Sequence, residues 1–132
     1  MSEEDCLFCN LISTGSNRII EENADAFAIE DAFPVTLSHS LVIPKRHVES
    51  YFELTTQELL SVHQLLVSRR GAIASMSDEQ IDFNVGINCG ELAGQTIKHC
   101  HIHLFPRRRG DIPNPEGGVR NLIPGKGPYR KR

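Results

Sequence analysis

A chain of 132 residues is long enough for one hydrophobic core but not for two. Its 39% hydrophobic and 23% charged content is that of an ordinary globular domain. No apolar run approaches the roughly 18 residues of a membrane span. The net charge of −3 is uneven, because residues 107–132 carry eight Lys/Arg against two acids.

The opening Met1-Ser2-Glu3-Glu4-Asp5 lacks the basic and apolar regions of a signal peptide, so the expectation is a cytoplasmic protein with reduced cysteines. Cys6-x-x-Cys9 is then a metal or redox candidate rather than a structural disulfide. Residues 6–14 read as a short helical turn or irregular start, closed by Gly15. Residues 18–22 and 25–30 read as strands with Asn23 at the turn between them, and Phe27, Ile29 and Asp31 share a face of the second. A third strand, 38–43, runs into Pro44-Lys45-Arg46-His47.

Thr55-Thr56-Gln57-Glu58 is a capping box, with the Thr55 hydroxyl taking an orphan amide and Glu58 reaching back to the cap. The helix that follows should bury Leu59, Val62, Leu66 and Ile73 on one face, with Leu65 beside them. Gly71 weakens its later turns by about 1 kcal/mol relative to Ala, which predicts an end near Met76. Ile81, Phe83, Val85 and Ile87 then alternate with Asp82, Asn84, Gly86 and Asn88 in a further strand. A loop from Cys89 to Thr96 returns the chain, antiparallel, to His99-Cys100-His101-Ile102-His103-Leu104-Phe105.

That last segment alternates histidine and apolar residues with the period of a half-buried strand. It predicts the three histidines on one face and Cys100, Ile102 and Leu104 on the core face. At roughly 3.3 Å per residue the outer two histidines start about 13 Å apart, so the three are poorly placed to bind one metal together, although a His-x-His pair could. The elements predict an α+β fold: a five-stranded, mainly antiparallel sheet with one long helix on its apolar face. From about residue 106, five prolines and five glycines predict an extended basic tail of the same single domain (1–132), free to wrap on the sheet or on a neighbour. Its charges suit either a phosphate-rich ligand or plain solvation, and nothing has the aromatic and basic interleaving of a nucleic-acid-binding module.

The run His99 to Phe105 resembles the signature of the histidine triad (HIT) family of nucleotide hydrolases and transferases. Ala93-Gly94-Gln95-Thr96-Ile97-Lys98 before it and Pro106-Arg107 after it look most like the Fhit branch, the dinucleoside polyphosphate hydrolases. Cys6-Leu7-Phe8-Cys9, Glu30 to Pro34 and Ser38 to His47 extend the likeness. It implies a homodimer with a continuous sheet and a purine nucleotide or dinucleoside polyphosphate as ligand. His101 would be the nucleophile, since neutral imidazole is competent near pH 7. His103 would contact the phosphate and assist the leaving group, while Gln95, Thr96 and the backbone beside Gly94 hold phosphoryl oxygens. Asp31 would take the ribose hydroxyls, with Asn88 near ribose and phosphate. Phe8, Leu11 and Ile29 would sandwich the base, although plain core packing accounts for the same residue types. His39 would support the triad from beneath.

Cys6, Cys9, His47 and His99 make up a Cys₂His₂ set of the kind that closes a structural zinc site, an arrangement some bacterial-type members resemble. The alternative is an inert reduced thiol pair. A polyphosphate substrate could bring its own divalent cation. The expected activity is hydrolysis of a nucleotidyl phosphoanhydride with release of AMP. Purine nucleoside phosphoramidase is the enzymatic alternative, and a nucleotide-binding signalling module with incidental turnover is the alternative from another class.

Overall fold

The computed structural model describes residues 3–129, with only the backbone of Glu4. Met1, Ser2 and the basic Arg130, Lys131 and Arg132 lie outside the described residues. Five strands, β1 (Ile19–Glu22), β2 (Ala26–Glu30), β3 (Ser40–Pro44), β4 (Asp82–Ile87) and β5 (Ile102–Arg107), form one antiparallel sheet in the order β1-β2-β3-β5-β4. Two helices accompany it, α1 (Leu7–Ser13) and α2 (Thr56–Ser75). The expected α+β fold is what the chain adopts. Among the described residues no helix is long and apolar enough to cross a membrane.

The pleat sorts the sheet into two apolar faces. Ala26, Ala28, Val42 and Ile102 meet Val62 and Leu65 of α2. On the other face Phe27, Ile29, Leu41 and Ile43 meet Phe8 and Leu11 of α1. Cross-strand register explains the second set, since Ile29 lies opposite Leu41 and Leu41 opposite His103. The histidine side of the sheet is therefore half core and half working surface.

The capping box forms as read: the Thr55 side chain accepts from Glu58 N, and the Glu58 side chain accepts from Thr55 N. The buried stripe of α2 departs from the expected one. It runs through Glu58, Ser61, Val62, Leu65, Arg69 and Ile73, whereas Leu59 and Leu66 are only half-buried. Hydrogen-bond partners explain two polar members: Glu58 takes a forked pair from Arg46, and Ser61 donates to Asp25. Arg69 Nε is buried 4.0 Å from Glu21 with no hydrogen-bond partner among the described residues. Hydropathy alone cannot anticipate burial that partners make affordable.

Two further expectations change. The helix lies over β2, β3 and the start of β5, so on the outer strand β4 Ile87 packs against the core but Val85 stays 48% exposed. The histidine strand begins at Ile102, not His99, because pairing with β3 stops after Val42–Ile102. Pro44 ends β3 with no amide to extend the ladder. The residues after Arg107 turn back over the sheet, and a 3₁₀ segment, Gly118–Leu122, contacts β4.

Candidate active site and metal centre

Each triad histidine carries a ring nitrogen hydrogen-bonded to a group that fixes whether that nitrogen donates or accepts. His101, immediately before β5, places Nδ1 2.8 Å from the His99 carbonyl, which can only accept. The proton is on Nδ1, and Nε2 presents a lone pair. His99 places Nε2 2.7 Å from the Pro44 carbonyl, which leaves its Nδ1 bare. For His103 the assignment runs through His39. The Val35 amide donates to His39 Nδ1 at 3.1 Å, so the His39 proton sits on Nε2. That Nε2–H lies 3.0 Å from His103 Nδ1, which must accept, and His103 is left with N–H at Nε2. Adjacent histidines on one surface, ring centroids 5.2 Å apart, thus present opposite chemistry: a nucleophilic nitrogen at His101 and a donor at His103.

Burial keeps the donor neutral. The His103 pKa is lowered to about 4, first by desolvation and then by repulsion from His101 and His39, with Asp31 opposing. Burial likewise lowers His39 despite Asp31. Asp31, His39 and His103 come close enough to be considered as metal ligands. A proton already bridges His39 and His103, however, and Asp31 Oδ2 stands 3.6 Å from His39 Nε2, just beyond hydrogen-bond distance. The other Asp31 oxygen accepts from Phe33 N at 2.8 Å, which fixes the carboxylate's orientation. Ser38, just before His39, has φ 69°, a conformation non-glycine residues seldom adopt.

The loop before the triad closes on itself, with Gly90 and Gly94 at φ 97° and 91°. Gln95 is 8% exposed, and its side chain is committed to that loop. It accepts from Gly90 N and donates to the carbonyls of Glu49 and Ile97. Gln95, expected to meet phosphoryl oxygens, here makes its side-chain hydrogen bonds to the backbone of Gly90, Glu49 and Ile97. The amides of Gly94 and Gln95 are also taken, by Glu91 O and Gly90 O. Thr96 stands exposed at the end of the loop. Gly86 lies opposite His103, so half-buried Asn88, two residues on, falls toward the His101 end of the same face.

Phe8, Leu11 and Ile29 all belong to the apolar cluster between α1 and the sheet, with Phe8 and Ile29 only 1% exposed. They serve first as core, and a base would meet no more than their margins. Phe8 also backs the site, standing edge-on to His101 at 5.2 Å and to His99 at 5.7 Å. Two contributors escape a sequence reading. The Val35 amide is backbone and carries no sequence signal. Phe105, parallel to His103 at 5.2 Å between centroids, is the last apolar residue of the triad pattern and could have been found there.

His99 does not share the working surface; it turns to the Cys-x-x-Cys segment. Its bare Nδ1 lies 3.4 Å from Cys6 Sγ, 3.5 Å from Cys9 Sγ and 3.2 Å from His47 Nδ1, and Cys9 Sγ is 3.3 Å from His47 Nδ1. Tetrahedral ligands at zinc's usual bond lengths stand about 3.3–3.8 Å apart. Two thiols and two imidazoles converging at that spacing, with an imidazole lone pair aimed between them, fit a closed zinc site. Burial, and then Cys6, push the Cys9 thiol up to about 12. Cys100 is a core residue, 2% exposed.

Fold and site together define a histidine triad protein. The HIT domain family model matches residues 14–110, and the chain belongs to that family. Among solved structures, a HIT family protein from Bacillus anthracis is 32% identical with a TM-score of 0.75, covering 83% of this chain and 78% of that one. A zinc-bound histidine triad family protein from Mycobacterium smegmatis is 31% identical with a TM-score of 0.71 and 92% coverage of both chains. Among curated relatives, the adenylylsulfatase HINT3 of Arabidopsis thaliana is 34% identical over 112 residues, 83% of this chain and 55% of that protein.

Proposed function

We propose that the protein hydrolyses a nucleotidyl phosphoanhydride, a dinucleoside polyphosphate, releasing AMP through a nucleotidyl intermediate on His101. The observation that carries this is the pair of fixed tautomers, a bare Nε2 on His101 beside an Nε2–H on His103. The His101 lone pair forms a bond to the α-phosphorus as the bridging P–O bond breaks, and the nucleoside polyphosphate departs as an anion. Nδ1–H stays on the His99 carbonyl throughout and stabilises the charge that develops on the ring. His103 donates to the developing negative charge. Water then attacks phosphorus, restores His101 and yields AMP.

Phosphoramidase is the second reading, favoured by the Cys₂His₂ cluster and Pro44-Lys45-Arg46-His47. An amine leaving group must be protonated, whereas a polyphosphate need not be, and a neutral His103 with its pKa near 4 is a hydrogen-bond donor rather than a strong acid. That favours the anhydride. The relative named as an adenylylsulfatase supports transfer of a nucleotidyl group in either case. Asp31, one oxygen already oriented, takes the ribose, and Asn88 and Thr96 flank the phosphate. Cys6, Cys9, His47 and His99 hold a structural zinc that ties the N-terminal segment to the triad. A second protomer pairs along the outer edge of β4, where half-exposed Val85 stands.

The decisive experiment compares turnover of diadenosine polyphosphates and an adenosine phosphoramidate, for the wild-type protein and for His101→Ala. The anhydride should be preferred, and the variant should lose activity by several orders of magnitude while still binding AMP. Retention of about a tenth of the rate would remove His101 as nucleophile. Nucleotide binding with negligible turnover of both substrates would favour the signalling module.

A further inference from the structure

Outside the metal cluster, two further thiols stand beside the nucleophile and take no part in the mechanism. The β4–β5 ladder pairs Val85 with Leu104 and Ile87 with Ile102. Carried two residues further, the same register sets Asn88 opposite His101 and Cys89 opposite Cys100. Alternation then puts both cysteines on the side of Ile87 and Ile102, and Asn88 and His101 on the working side. Burial agrees with this sorting. Cys100 belongs to the core cluster that Ile87 packs against, and Cys89, where the loop begins, is half-buried. The two thiols lie within electrostatic reach of each other: after burial, Cys89 is the next cause that raises the Cys100 pKa.

Opposed residues of an antiparallel pair have Cα atoms about 4.5–5.5 Å apart, and a disulfide spans about 4.4–6.8 Å. The register therefore suits a cross-strand disulfide, but the ladder stops short of it. The Cys100 amide turns aside and donates to the Val48 carbonyl at 2.7 Å. Drawing Cys100 onto Cys89 works against that bond. The same peptide unit carries the His99 carbonyl, which accepts from His101 Nδ1 at 2.8 Å and leaves His101 Nε2 bare. One peptide thus faces the thiol pair through its N–H side and the nucleophile through its oxygen.

We propose that Cys89 and Cys100 are a modification site, a thiol pair that a hydroperoxide converts to a reversible disulfide, and that closing it displaces the peptide holding His101. Cys89 is the more accessible thiol and reacts first. Its sulfur, having released its proton, bonds to the outer peroxide oxygen as the O–O bond breaks. The departing alkoxide takes up that proton and leaves as an alcohol, with a sulfenic acid on Cys89. The Cys100 sulfur then attacks the Cys89 sulfur, the S–O bond breaks, and hydroxide leaves with the Cys100 proton as water. Two thiols are oxidised, and one hydroperoxide is reduced to an alcohol and water. A dithiol reductant reverses the step. Cys6 and Cys9 are a separate pair, turned toward His47 and His99.

The test treats the full-length wild type, Cys89→Ser and Cys100→Val with hydrogen peroxide, blocks the remaining thiols and maps tryptic peptides by mass spectrometry. Lys98 separates the two cysteines, so the disulfide should link the peptide ending at Lys98 to the one beginning at His99. In the treated wild type, the ¹⁵N shifts of His101 should move from a single Nδ1–H form to a mixture of tautomers, and turnover should fall about tenfold or more. Dithiothreitol should restore both. Neither variant should form the link, and Cys89→Ser should keep its turnover and its His101 shifts under peroxide. Cys89 and Cys100 recovered unlinked, or linked to Cys6 or Cys9, would overturn the pair. A link that leaves the His101 shifts unchanged would overturn the coupling to the nucleophile, and an equal loss in Cys89→Ser would place the oxidation elsewhere. The link and the shifts are read without substrate, so a protein that hydrolyses no dinucleoside polyphosphate defeats the proposed function and leaves this test decisive.

Discussion

Glu58→Gln tests the anchor that holds the segment carrying His47. Glu58 is 6% exposed; its Oε2 accepts from Arg46 Nε at 2.9 Å, and its Oε1 accepts from Arg46 at 2.8 Å and from Thr55 N. The hydrogen bonds from Arg46 pull the carboxyl from 4.5 down to about 2, against an opposing effect of burial. A shift of that size corresponds to about 3 kcal/mol. Arg46 is half exposed, so water screens the pair, and about 1–2 kcal/mol is the realistic worth. A depressed carboxyl contributes its full stability above its ordinary value and loses it as pH falls through the folded value. The gap between wild type and Glu58→Gln, measured by urea denaturation, should therefore be about 1–2 kcal/mol at pH 7 and close to zero near pH 2. A gap of equal size at both pH values would mean that Glu58 acts by packing or capping and not by charge.

Purified protein should carry a zinc ion without added metal, and Cys6→Ser or Cys9→Ser should lose it and lower the melting temperature; metal-free protein of unaltered stability would refute the closed site. Asp31→Ala should weaken AMP binding by about 1.5–3 kcal/mol, the usual loss for a charge-assisted hydrogen bond, and unchanged affinity in a calorimetric titration would place Asp31 outside the ribose site. His39→Ala removes the donor that holds His103 in its Nε2–H form. Its kcat should fall about tenfold or more with little change in AMP affinity, and ¹⁵N chemical shifts of His103 should report a mixture of tautomers. A single unaltered tautomer would break the proposed chain from Val35.

Much of this was legible locally. The capping box at Thr55 and Glu58 formed as read, and the first four strands appeared within a residue or two of their expected spans, because both signals depend on neighbours a few positions apart. The burial of Cys100, Ile102 and Leu104 also followed from alternation. The family resemblance brought Cys6, Cys9, His47 and His99 together on paper, and the structure places their ligand atoms within 4.8 Å of one another.

What the sequence determined by itself is therefore the element order, the alternation that buries Cys100, Ile102 and Leu104, and the types of residue available for chemistry. Tertiary structure decided which nitrogen of each histidine is bare, because the Pro44 carbonyl, the His99 carbonyl and the Val35 amide are backbone groups with no sequence signature. It turned His99 away from the other two, committed Gln95 to its own loop and made room for Glu58 and Arg69 in a buried stripe. The physical reason is common to all of these. A polar group's role depends on the partner it meets across the fold, and that partner is set by packing at long range, whereas helices, strands and their apolar faces are set by periodicities of two and 3.6 residues along the chain.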